Sequence, residues 1–206
     1  MTKKELISFY QNSLPKSSTS RYHPQVITFA VRHAYEQLLY DMYLMNPNNL
    51  DEYTVTLSDL AVINADRDYI TIDKSYIKLP GKASGVRNIH SVDLPTSLSD
   101  VESTYFRPMT LVEYELAQNS DMWYVGDTVG YAVSQSKIYL HNLPADWDYL
   151  SGSVHVDIVQ SFEEFDDTDE IMIPNGQAER MSELVMAYLS KIAPKSLLNN
   201  NSDTNG

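Results

Sequence analysis

The longest regular pattern in the chain runs from Pro24 to Met45. There Val26, Ile27, Ala30, Val31, Ala34, Tyr35, Leu38, Leu39, Met42 and Tyr43 recur at steps of three and four residues. The spacing predicts a helix, with Pro24 suited to its first turn and Asn46-Pro47 to its stop. The apolar stripe covers about half the circumference, more than one packing neighbour needs. One of those neighbours is expected to be another copy of the chain, which makes Ile27, Val31, Tyr35, Leu39 and Met42 the candidate subunit interface.

Two shorter helices are announced by their first residues. Thr2 and Glu5 stand three apart before Leu6, Ile7, Phe9 and Tyr10, and Thr110 and Glu113 repeat that spacing before Leu116 and Ala117. In such a capping box the Thr side chain and the Glu side chain each satisfy a backbone N–H that the first helical turn leaves open. The first helix should end before Leu14-Pro15. A last helix is predicted over Gln177 to Ile192, with Met181, Leu184, Val185, Tyr188, Leu189 and Ile192 on one face and Pro194 beyond its end.

Between these helices the period falls to two and β-branched and aromatic residues dominate. Strands are predicted at Tyr53–Leu57, Ala61–Ile63, Tyr69–Ile72, Tyr76–Leu79 and Val86–Val92. A second set, Met122–Val125, Val129–Val133, Ile138–His141 and Ser153–Val159, reads as a meander, with short turns at Gly126-Asp127 and Ser134–Lys137 keeping neighbours antiparallel. Lys16–Tyr22 and the Ser- and Asp-rich Asp93–Ser103 read as loops. The fold class is α+β: N-terminal helices, an antiparallel meander or sandwich-like region, a C-terminal helix and a disordered tail. We expect one domain over residues 1–195, with a helical region at residues 1–47, a β-rich region at 51–175 and a terminal helix at 176–193, followed by a flexible tail at 196–206.

Composition narrows the chemistry. The 206 residues hold 15 Lys and Arg against 28 Asp and Glu, a net charge of −13, which argues against a surface built to grip nucleic-acid phosphates. The charge is uneven: residues 1–50 carry five basic and three acidic side chains, net +2, and residues 51–206 carry ten and twenty-five, net −15. A basic end of one copy could therefore dock on an acidic face of the next, and head-to-tail contacts of this kind close into a ring where the rotation between copies allows it. With no Cys, disulfides, thiolate catalysis and Cys-ligated metals are excluded. Leu6 to Tyr10 is too short for a signal segment and Val185 to Leu189 too short for a membrane span, so synthesis without export is expected.

No residue pattern announces a reaction. The acidic run Glu163, Glu164, Asp166, Asp167, Asp169 and Glu170 lacks the alternation and the central Gly of a calcium loop, and reads as a solvated connector ahead of a helix. His155 and Asp157 share one face of a predicted strand, with His141 on a possible neighbour, yet no third ligand can be located. The favoured reading turns Val154, Val156 and Ile158 to the core and the polar pair to water. Ser151-Gly152-Ser153 is no nucleophile elbow, and Gly81-Lys82 has Tyr76 where a phosphate loop needs its first Gly. Trp123, Tyr124, Trp147 and Tyr149 could form a stacking platform, but without a basic strip beside them a core or interface role is preferred. We assign no catalytic, cofactor-binding or metal residue.

The order and spacing of Tyr105-Phe106-Arg107-Pro108, the short helix from Thr110 to Gln118, Lys137-Ile138-Tyr139-Leu140, Leu143-Pro144, the strand Val154–Val159 and Glu170-Ile171-Met172-Ile173-Pro174-Asn175-Gly176 resemble a known family. They are similar to the neck proteins of short-tailed bacteriophages, especially the connector or ring proteins of crAss-like phages, over roughly residues 105–193. The resemblance implies a non-enzymatic virion structural protein. It would form a homo-oligomeric ring, commonly twelve-fold, between the portal protein and other neck or tail proteins. DNA would pass through the channel without specific binding, and the ring would assemble in the host cytoplasm without a membrane or cofactor. The rival reading is a β-rich carbohydrate- or peptide-binding module, and a third is a hydrolase using scattered carboxylates.

Overall fold

A computed structural model describes residues 1–14, 22–63, 65–91, 105–119, 128–143, 154–174 and 176–192. It is an α+β fold. The helices are α1 (Lys3–Ser13), α2 (Pro24–Met45), α3 (Leu111–Gln118) and α4 (Ala178–Ile192). The strands are β1 (Thr54–Leu60), β2 (Val62–Ile63), β3 (Tyr69–Thr71), β4 (Val86–Ser91), β5 (Tyr105–Met109), β6 (Thr128–Ser134), β7 (Lys137–His141) and β8 (Val154–Val159). The chain divides into two compact units, one of Met1–Pro47 with Phe162–Gly206 and one of Asn48–Ser161. The expected loops at Lys16–Tyr22 and Asp93–Ser103, the strand Met122–Val125 and the tail 196–206 lie wholly or almost wholly outside the described residues.

The first unit is helical, and its helix ends are set by local chemistry. Glu5 N donates to Thr2 Oγ1 at 3.2 Å and Thr2 N donates to Glu5 Oε2 at 2.9 Å, completing the capping box of α1. Gln25 N donates to His23 Nδ1 at 3.4 Å, and Pro24 occupies the first turn of α2. Helix α2 buries Ile27, Ala30, Val31, Ala34, Tyr35, Leu38 and Leu39. Its neighbours are α1, α4 and the 3-10 turn Phe162–Glu164, all within the same unit. The Tyr35 ring lies 5.6 Å from that of Phe162 and 6.4 Å from that of Phe165. Each such side chain contributes about 1.5–3 kcal/mol by leaving water.

The width of the α2 stripe is therefore filled by its own chain. Of the candidate interface residues, Ile27, Val31, Tyr35 and Leu39 are in the interior and Met42 is half-buried. The apolar side chains that α2 leaves on the surface are others: Phe29, Leu44 and Met45. In α4, Met181, Val185 and Leu189 are buried as the periodicity indicates, but Ile192 is exposed because the helix ends there.

The second unit is built of two sheets, β1-β8-β4 and β2-β3-β7-β6-β5. Ile70, Val129, Tyr131, Ile138 and Leu140 of the larger sheet share one core with Val86, Ile89, Val154, Val156 and Ile158 of the smaller. Three sequence expectations change here. Strand β8 does not continue the β6–β7 meander; it pairs antiparallel with β1 and β4, because its Val154, Val156 and Ile158 complete the opposite wall of that core. The strand expected at Tyr76–Leu79 is an extended segment held by a bridge from Tyr76 to Gln160 and by Ile77 N donating to Val159 O at 2.8 Å. Beside it a Cβ at Gly85, with φ of 100°, would strike the Ile77 carbonyl, so glycine permits the close approach. Finally β5, absent from the predicted strands, pairs with β6 in parallel register at the sheet edge, where Pro108 costs no ladder hydrogen bond.

Candidate functional site

The parallel register of β5 sets Arg107 opposite Gly130, and the antiparallel register of β7 sets His141 opposite the same glycine. Residues directly opposite one another point to the same face of a sheet, so these three form a row across β5, β6 and β7. Along that face Tyr114 of α3, fully buried, meets the rings of Tyr139 at 5.8 Å and His141 at 6.2 Å. Burial raises the Tyr114 hydroxyl above its ordinary range, and it donates to Leu140 O at 3.4 Å. Helix α3 is thus clamped over the sheet by its one large inward side chain.

Beside the helix a cavity of about 50 Å3 remains, floored by Gly130 and walled by Arg107, Met109, Thr128 and His141. A Cβ at residue 130 would collide with Met109 Sδ and stand 3.6 Å from His141 Cβ, so glycine at this position is what lets Met109 lie over β6. Lys82 and Glu113 form the rim. Lys82 Nζ donates to Glu113 Oε1 at 2.5 Å while Thr110 N donates to Glu113 Oε2 at 2.7 Å. The Lys82 ammonium first, and the Thr110 amide next, hold the Glu113 carboxyl down to about 2. Burial pushes His141 below the usual imidazole range, which keeps it neutral at pH 7. The Gln118 side-chain amide lies 3.2 Å from His141 Nδ1 and hydrogen-bonds with it. Arg107 is exposed and has no ion-pair partner among the described residues.

The other residues singled out from sequence fall apart. His141 and His155 belong to different sheets, so the imagined group around His155 and Asp157 is not assembled. Thr56 Oγ1 donates to Asp157 Oδ1 at 2.6 Å, a cross-strand contact between β1 and β8. The acidic run serves the start of α1 rather than that of α4: Lys3 N donates to Asp169 O at 3.0 Å, Lys4 N to Asp167 O at 3.1 Å, and Lys3 Nζ to Phe165 O at 2.5 Å. Glu163 pairs with Arg32 of α2. Among the described residues no three His, Asp or Glu side chains are grouped to hold a metal ion, and no helix is long and apolar enough to cross a membrane. Ser151-Gly152-Ser153, Trp123, Tyr124, Trp147 and Tyr149 lie outside the described residues.

Sequence reasoning reached Lys82 only as part of a failed phosphate loop, and His141 only in the wrong company. Two signals were available. Pro108 marks an edge strand, and a lone Gly within the Val129–Val133 run marks a place where something approaches the backbone closely. No protein-family model matches the chain, and no curated protein matches its sequence.

Proposed function

We propose that this chain is a non-enzymatic structural subunit that assembles with copies of itself into a ring, of the kind found in phage necks between portal and tail. The observation that carries the reading is apolar side chains standing on the surface of both units. Helix α3 exposes Val112 to 69% and Leu116 to 54%, and the α2 end exposes Leu44 to 60% and Met45 to 78%. Isolated exposed apolar residues are ordinary, but neighbouring ones on a single helix mark contact surfaces. Two different patches on one subunit suit a heterologous contact, the type that closes into rings when the rotation allows. In such a ring, located in the virion, the acidic excess repels DNA from the channel wall and lets it pass.

The native mass of the full chain across a concentration series, alone and with a portal protein, tests this. Val112→Glu together with Leu116→Glu is expected to shift the assembly to monomer without changing the circular dichroism spectrum. A chain that stays monomeric at every concentration and with portal present, while binding glycans on an array, would move the binding-module reading ahead.

A further inference from the structure

The cavity beside α3 is lined by several polar side chains, and one of its positive charges has no counterpart among the described residues. We propose that it is a binding site for a single small oxyanion, a carboxylate or phosphate group, held by Arg107 with the Lys82 ammonium, the His141 ring and the Thr128 side chain as further partners. Size sets the ligand class. A buried water needs roughly 10–15 Å3 in such a volume, so about 50 Å3 has room for a few waters or for one oxyanion group.

Charge sets its sign. Glu113 is committed to Lys82 and to the Thr110 amide, so it neutralises the lysine and, among the described residues, leaves the guanidinium of Arg107 unbalanced. That leaves one net positive charge in a chain of net charge −13, where it stands out to an approaching anion. The guanidinium fork matches the two oxygens of a carboxylate or phosphate. His141, which burial favours in its neutral form, adds a polar ring edge without adding charge. The absence of a side chain at Gly130 lets Met109 Sδ lie against β6 at the edge of the cavity. This site is independent of ring formation and stands or falls without it.

The test is an NMR titration of the full chain with sodium acetate, sodium phosphate and sodium chloride at matched ionic strength. It follows the Gly130 amide and the His141 ring. Saturable shifts with acetate or phosphate and none with chloride are expected, and the tighter of the two identifies the source of the oxyanion. Arg107→Ala, at an exposed position, should weaken that binding by about tenfold or more, the usual loss for a hydrogen bond to a charged group. Gly130→Ala, which drives Met109 into the cavity, should weaken it as well. Equal shifts with chloride, or an Arg107→Ala chain that binds like the unaltered one, would overturn the proposal.

Discussion

Helices α1 and α3 open with the same device and end in different situations. Thr2 with Glu5 and Thr110 with Glu113 form matching capping boxes, and both helices begin at the residue after the threonine. Helix α1 buries Leu6 and Tyr10 in a helical unit, while α3 buries Tyr114 and Ala117 against a sheet. The acids diverge as well. The Thr2 amide, helped by the Thr2 hydroxyl and the N-terminal ammonium, draws Glu5 below its ordinary value, whereas Lys82, brought in from a distant turn, takes Glu113 down to about 2. A four-residue motif thus determines where a helix starts; what its acid becomes is decided by a residue that tertiary structure delivers.

The largest effect that can test this contrast lies in the helix on which α1 packs. Val31→Asp and Tyr35→Asp each place a charge where exposure is 0% and 2%, so both should unfold the helical unit, at a cost above about 4 kcal/mol. Circular dichroism and denaturant melts would show it. A Tyr35→Asp chain that folds normally and only fails to assemble would return that residue to a subunit interface. Next in size are the anchors beneath the two capping boxes. Tyr114→Ala should cost about 3–5 kcal/mol and Leu6→Ala about 2–5 kcal/mol, read from urea unfolding midpoints. If Tyr114→Ala cost much less, α3 would not be clamped by its tyrosine as described. Removing either cap, Thr2→Ala or Thr110→Ala, should cost about 1 kcal/mol in each unit. Near-equal losses would confirm that the motif acts locally.

The smallest effect is the most discriminating. Glu113 has a folded value near 2 against an ordinary 4.5, so its contribution is complete above about pH 4.5 and declines as pH falls toward 2. Lys82→Ala should raise the Glu113 titration midpoint measured by carboxyl NMR and leave that of Glu5 unmoved. A parallel rise in both would mean that the two acids share an environment, contrary to the contacts seen.

Much of the helical architecture was legible because its signals are local. The bounds of α2 were readable from Pro24 and Asn46-Pro47, and those of α1 and α3 from their capping boxes. The β6–β7 hairpin was readable for the same reason, its turn lying between its strands. Pairings across long separations were not. That Thr54 faces Val159 depends on which wall of a core each strand completes, and no period within either strand encodes it. The candidate site shares this fate. Arg107, Gly130 and His141 meet through register, one contact parallel and one antiparallel, while Pro108 disguised the strand that carries the first of them. The α2 stripe teaches the converse: its width was read correctly, but periodicity counts neighbours without saying to which chain they belong.

The helical unit is interrupted, since more than one hundred residues, Asn48–Ser161, separate α2 from the α4 helix that covers it. A ribosome adds roughly 5–20 residues per second, so α2 waits on the order of ten seconds after its own synthesis before α4 emerges. The β-rich unit completes its sequence before α4 does, while Ile27, Val31, Leu38 and Leu39 remain without their final cover throughout. The nascent chain thus displays its most apolar helix longest, and the order of synthesis makes α4 the closing step.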